Sequence, residues 1–219
     1  MDTNTKTPLR PGLALIILFV GHLCATLFMS NLGLGLDAIE DPVAGNWART
    51  THAAFRFGST WFGPPLALFM IYIAFRIWRG KPVQPAIDFI GIFLTLRCLI
   101  IFAVLNLLLL SQLKAGGVLL VQLVLFLPVI TLNFGWLYWR IDTGARLKGR
   151  QHVRFTEDDS PDPFDYFYMA AMQLTQFEPA VAEGASRLMK TLFVIHGIMM
   201  LDLVALTLSR AIGLATGGG

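Results

Sequence analysis

From Leu13 to Leu36 the chain carries no charged side chain. A run of this kind can cross about 30 Å of hydrocarbon, which takes roughly 20 apolar residues. Four further stretches approach or exceed that length: Trp61 to Trp78, Pro85 to Leu113, Gly117 to Trp139 and Ser186 to Ile212. Lipid offers no hydrogen bonds, so each stretch must satisfy its own backbone as a helix. With 55% hydrophobic and only 14% charged residues among 219, the composition excludes an ordinary soluble domain. The expected fold is a single all-α integral membrane domain, a bundle of five transmembrane helices with a short re-entrant or interfacial helix before the last one.

Pro64 and Pro65 suit the opening turn of the second span, Pro128 predicts a kink in the fourth, and Gly213 is placed to cap the fifth. The first apolar run is longer than a signal-peptide core and no small-residue cleavage pattern follows it closely, so it reads as an uncleaved helix. Cys24 and Cys98 fall inside spans, where a thiol acts as a small hydrophobe. They define neither a disulfide framework nor a metal pair.

Orientation follows the distribution of Lys and Arg rather than the net charge of +3. Basic residues gather at the N-terminus (Lys6, Arg10), after the second span (Arg76, Arg79, Lys81) and after the fourth (Arg140, Arg146, Lys148, Arg150, Arg154). These connections are expected in the cytoplasm, which puts the N-terminus inside and the C-terminus outside. Trp47, Trp61, Trp78, Trp136 and Trp139 are expected near the interfaces. The polar connection from Asp142 to Pro161 reads as a solvated loop against anionic headgroups, or as a regulatory or partner site. Asn46 to Phe57 reads as a short interfacial helix.

Asp162 can accept from the first free amides of a helix, Pro163 tolerates the first helical position, and Asp165 favours the positive helix end. A helix over 163–177 is predicted, uncharged from Tyr166 to Phe177 and stopped by Glu178 and Pro179. At 1.5 Å per residue it would be roughly 20 Å long, short of a full crossing. With the N-terminus inside, this helix enters from the cytoplasmic face, whereas the pore helices of potassium channels dip in from the outer one.

The pattern Tyr166-Phe167, Thr175 and Ser186-Arg187, leading into an apolar helix with Gly197 and Ser209-Arg210, resembles the pore module of the voltage-gated-like ion channel superfamily in its small bacterial members. The last 85 or so residues, from about Trp136, more closely resemble an uncharacterised bacterial multi-pass membrane protein family of unknown function. The shared features are Gly135-Trp136-Leu137-Tyr138-Trp139, the stretch Asp162 to Phe167, Thr175 and Gln176, and His196. The resemblance implies a channel-like layout in a bacterial cytoplasmic membrane and, for a pore, a homo-oligomer. Leu174-Thr175-Gln176-Phe177-Glu178-Pro179 stands where potassium channels carry a Thr-Val-Gly-Tyr-Gly carbonyl ladder, so potassium selectivity is not expected.

Ionisable groups inside spans are costly, and each is by default paired or functional. Arg97 and Asp202 form the obvious candidate ion pair, either fixing helix contacts or serving permeation; Asp88 reads as an ordinary hydrated residue at a helix end. Thr175, Gln176, Glu178, Asp202 and Arg97 are therefore the candidates for a pore or solute path. His22 and His196 each lie about ten residues into their spans, at similar depth, and two imidazoles facing each other across a bundle can ligate a b-type haem axially, although a lone bonded histidine is the commoner outcome. His22, Thr26 and Ser30 share one helix face, as do Gln122 and Asn133, and Asp202 and Ser209; such stripes normally bond between helices. Met169, Met172, Met189, Met199 and Met200 read as core packing rather than a copper route, and Glu178 and Glu183 as hydrated turn residues or a cation-attracting mouth. No phosphate loop, nucleophile elbow, zinc spacing or nucleic-acid surface is present, so no enzyme, cofactor or metal is expected. Three classes remain: transport or channel, structural or interaction protein, and bis-histidine redox protein.

Overall fold

The computed structural model describes residues 10–32, 42–110, 116–156, 161–176 and 182–215. Six helices and one two-stranded ribbon occur among them: α1 Pro11–Leu32, α2 Pro42–Trp78, α3 Gln84–Leu110, α4 Gly116–Arg146, β1 Val153–Phe155, α5 Pro163–Gln176, β2 Ala182–Gly184 and α6 Arg187–Ala215. Proline is the first residue of α1, α2 and α5, where its fixed φ and missing N–H suit a helix start. α6 is capped by Ser186, whose Oγ accepts from the Met189 amide at 3.2 Å. The chain is a multi-pass helical membrane protein: α1, α3, α4 and α6 each contain a segment long and apolar enough to cross a bilayer. The apolar part of α2, Gly63–Trp78, is shorter.

Several extents differ from the sequence reading. The interfacial helix expected over Asn46 to Phe57 is part of one continuous helix, α2, with Pro64 and Pro65 inside it. α4 runs past Trp139 to Arg146 because Asp142 and Arg146, one turn apart, hold its last turns together at 2.5 Å. α6 continues beyond Gly213 to Ala215. The all-α expectation omits the β1–β2 ribbon, whose three-residue strands are too short to leave a periodic signal.

α4 is the centre of the bundle and packs against α1, α3, α5 and α6. Its neighbours touch different faces. Trp136 lies over Gly91 of α3, where any Cβ would overlap the indole, and Gly135 takes the Phe167 ring of α5 in the same way. Phe134 stacks on His196 of α6 at 4.1 Å, and Phe126 meets Phe28 of α1 at 5.3 Å. Trp136 and Trp139 are buried against other parts of the chain, whereas Trp47, Trp61 and Trp78 are exposed. Small residues opposite large rings let helices approach closely, which matters where lipid removes the hydrophobic drive between them.

β1 and β2 pair antiparallel with Phe155 opposite Ala182 and Arg154 opposite Glu183. α5 lies between them in sequence, so the chain leaves the ribbon, forms α5 and comes back to the same place. The ribbon sits at the end of the bundle where α4 finishes and α6 begins, together with the start of α3. This end holds Arg140, Arg146, Lys148 and Arg150 and is called the basic end below.

Opposed residues in an antiparallel pair have Cα atoms about 4.5–5.5 Å apart, within the reach of a disulfide. Arg154→Cys with Glu183→Cys, in a background lacking Cys24 and Cys98, should form an intramolecular disulfide on mild oxidation in membranes, read as a shift on a non-reducing gel. A chain in which α5 carried the polypeptide across the bilayer would show no such cross-link.

Candidate functional site

Four polar clusters occupy the bundle and its basic end. The most heavily bonded is built on Asp142, which is fully buried at the end of α4. Its Oδ1 accepts from the amides of His152 at 2.6 Å and Val153 at 2.8 Å; its Oδ2 accepts from Arg146 Nε at 2.5 Å and the Tyr166 hydroxyl at 2.7 Å. Arg146 also donates to the Val153 carbonyl at 3.0 Å. One carboxylate thus ties α4, the ribbon and α5 together, and the connection beginning at Asp142 is docked at His152 and Val153, while Lys148 to Gln151 are exposed. Burial raises the Tyr166 phenol above its ordinary value of 10.0, and the negative Asp142 beside it raises it further against the opposing Arg146.

A second cluster joins α3 to α4. Asp88, expected as an ordinary hydrated residue, receives two bonds from the Arg140 guanidinium, at 2.5 and 2.6 Å, and a third from Gln84 at 2.9 Å. This fork-on-carboxylate geometry fixes orientation as well as distance. The pair is about a quarter exposed on each side, so water screens it and its role is register more than stability.

The third cluster lies inside the spans. Arg97 of α3 donates to Nδ1 of His22 at 2.9 Å and to the Thr26 hydroxyl at 3.4 Å, and Thr26 itself donates to the His22 carbonyl at 2.8 Å. Because guanidinium has no acceptor, His22 must accept at Nδ1 and carry its proton on Nε2. Neither Arg97 nor Asp202 is in an ion pair among the described residues. The expected Arg97–Asp202 bridge is absent because α3 and α6 pack on widely separated faces of α4, through Trp136 on one and Phe134 on the other.

In the fourth cluster the Tyr138 hydroxyl lies 2.9 Å from Nδ1 of His196. His196 and His22 therefore have separate partners on separate helices. α4 meets α1 near Leu132 and α6 at Phe134, and residues two apart on a helix project in nearly opposite directions. A haem held by both histidines would need the space α4 fills, so the bis-histidine reading does not fit this bundle. No group of three or more His, Cys, Asp or Glu is arranged for a metal among the described residues.

Thr175 and Gln176 fall in the last turn of α5, with side chains outside the described set, and Glu178 lies outside the described residues. Sequence reasoning passed over Gln173, one turn earlier. Gln173 is completely buried, and both of its amide atoms lack a hydrogen-bond partner among the described residues, as do His196 Nε2 and Asp202 Oδ2. A polar residue at helical spacing from Tyr166 and Met169 could have flagged it, since both of these are buried. The reciprocal cap at the other end of α5 follows the sequence reading: Asp162 Oδ1 accepts from the Phe164 amide at 2.6 Å, and Asp165 Oδ2 accepts from the Asp162 amide at 2.7 Å.

A scan against protein-family models and searches of curated proteins and of solved structures gave no match. No family is therefore identified.

Tyr166→Phe removes one donor from a buried carboxylate and should destabilise the folded state by about 1.5–3 kcal/mol, measured by thermal unfolding in detergent. The phenol's folded pKa is raised, so its contribution is intact below the unfolded value of 10.0 and is lost as pH rises beyond it. Wild type should lose stability more steeply above pH 10 than Tyr166→Phe does.

Proposed function

We propose that this protein moves ions or small solutes across the bilayer and that Arg97 sets the sign of what passes. The observation that supports this reading is a buried guanidinium inside a membrane span, bonded to a neutral histidine and a hydroxyl, with no carboxylate paired to it among the described residues. Positive side chains in narrow membrane paths select for anions. On this reading the chain crosses five times, α1, the apolar part of α2, α3, α4 and α6, with the basic end and the N-terminus in the cytoplasm of a bacterial cell. α5 is a re-entrant element held at its base by the ribbon and by Asp142. Gln173, Thr175, Gln176 and Glu178 on or just after α5, with Asp202 of α6, are the further candidates for contact with the solute. The assembly around a path would be a homo-oligomer, and the protein would act without catalysis.

A second reading, a structural or interaction protein, draws on a specific observation too. Asp88 with Arg140 and Asp142 with its donors are closed sets that fasten helices and leave no group for a solute.

Purified protein in liposomes separates the two. Transport predicts chloride or iodide flux exceeding potassium flux, reduced at least tenfold in Arg97→Gln while the variant retains its elution volume and helicity. Vesicles impermeable to chloride, potassium and glycerol alike would count for the structural reading.

A further inference from the structure

The C-terminal end of α2 carries a feature that the transport reading does not use. Gly80, with φ of 66°, closes the helix in a left-handed turn: the Lys81 amide donates to the Arg76 carbonyl at 3.0 Å and the Gly80 amide to the Ile77 carbonyl at 2.9 Å. This turn folds Lys81 back beside the last helical turn. A cavity of about 250 Å³, open to the surface, lies there, lined by Tyr72, Phe75, Arg76, Arg79 and Lys81. Three of its five lining residues are cationic, and none of the three is in an ion pair among the described residues. Asp88, the carboxylate near the start of α3, is already taken up by Arg140.

Cations at a helix C-terminus also compensate the helix dipole, but that effect requires neither a cavity nor their convergence on one. The aromatic rings orient the guanidinium groups without using their N–H edges. Arg79 lies over the Phe75 ring at 4.3 Å and Arg76 faces Tyr72 at 5.9 Å. Arg76 donates one long bond to the Pro82 carbonyl at 3.4 Å, and its Nε has no partner among the described residues. Trp78 beside them is 80% exposed, as an indole at a membrane interface would be.

We infer that this cavity binds the phosphate of one anionic phospholipid headgroup, whose acyl chains lie along the exposed apolar face of α2. Arg76, Arg79 and Lys81 supply the charge, and the planar guanidinium groups supply paired donors for phosphate oxygens. The depth suits a lipid: the site stands where the apolar stretch Gly63–Trp78 ends, its lining rings Tyr72 and Phe75 are exposed, and so are Leu68 and Ile71 beyond them.

Native mass spectrometry of the intact protein, mixed with equal amounts of phosphatidylglycerol and phosphatidylcholine, tests this. One phosphatidylglycerol per chain should be retained in preference to phosphatidylcholine. Lys81→Gln, Arg79→Gln and Arg76→Gln should each weaken retention roughly fivefold, whereas Lys148→Gln with Arg150→Gln should leave it unchanged. Lys81 is exposed and outside the helix, so its variant should fold even if Arg76→Gln does not. Equal retention of the two lipids, or retention indifferent to Lys81→Gln and Arg79→Gln, would overturn the assignment. Displacement of the lipid by millimolar inorganic phosphate would also overturn it, because the site would then be one for free phosphate.

Discussion

A carboxylate with no exposure to water needs donors on every lone pair it turns inward, and Asp142 obtains its own from α4, β1 and α5 at once. The rest of the basic end follows from that need. The amides of His152 and Val153 can reach Asp142 only if the chain turns back after α4, as it does through a left-handed Gly149 at φ 70°. β1 is then fixed, and β2 pairs with it. α5 is held at one end by the Tyr166 hydroxyl and at its side by Phe167 in the notch over Gly135. Removing the carboxylate would leave an arginine, a phenol and two amides without their common acceptor, a loss of several kcal/mol.

Deeper in the bundle the helices are held by shape instead. Gly91 under Trp136 and Gly135 against Phe167 show two neighbours keyed into α4 by the same device. Both glycines have to stay small, because the rings already occupy the place of a Cβ. Phe134 against His196, and Phe126 against Phe28 and Phe102, fill the remaining faces. Polar locking at the basic end and ring packing toward the middle together give α4 its central position.

The apolar helices and the Asp162 cap were legible because each depends on residues close in sequence: unbroken hydrophobic runs, and an acid followed by proline and a second acid. What escaped the sequence depends on contacts between distant segments. Asp142 looked like the first residue of a polar loop because three of its four donors lie 10 or more positions away. Arg97 and Asp202 looked like partners because the sequence gives depth along a helix but not the face on which each helix meets α4. The same limitation joined His22 to His196. Gln173 was hidden among uncharged neighbours, and only its burial marks it.

The state of Arg97 bears most directly on what such a bundle is for. Placing an arginine at the centre of a membrane helix costs about 2.5–3.5 kcal/mol on insertion scales. Hydrogen bonds between membrane helices return on average about 0.6 kcal/mol and at most about 1.7. Two of them, to His22 and Thr26, one at 3.4 Å, return about 1.2 kcal/mol at that average, less than the cost. A carboxylate would have neutralised the charge, and Asp202 stands in the same bundle, yet the fold sets it on the far side of α4. The average return of these two bonds therefore leaves part of that cost unmet, and the guanidinium keeps a positive potential among apolar helices.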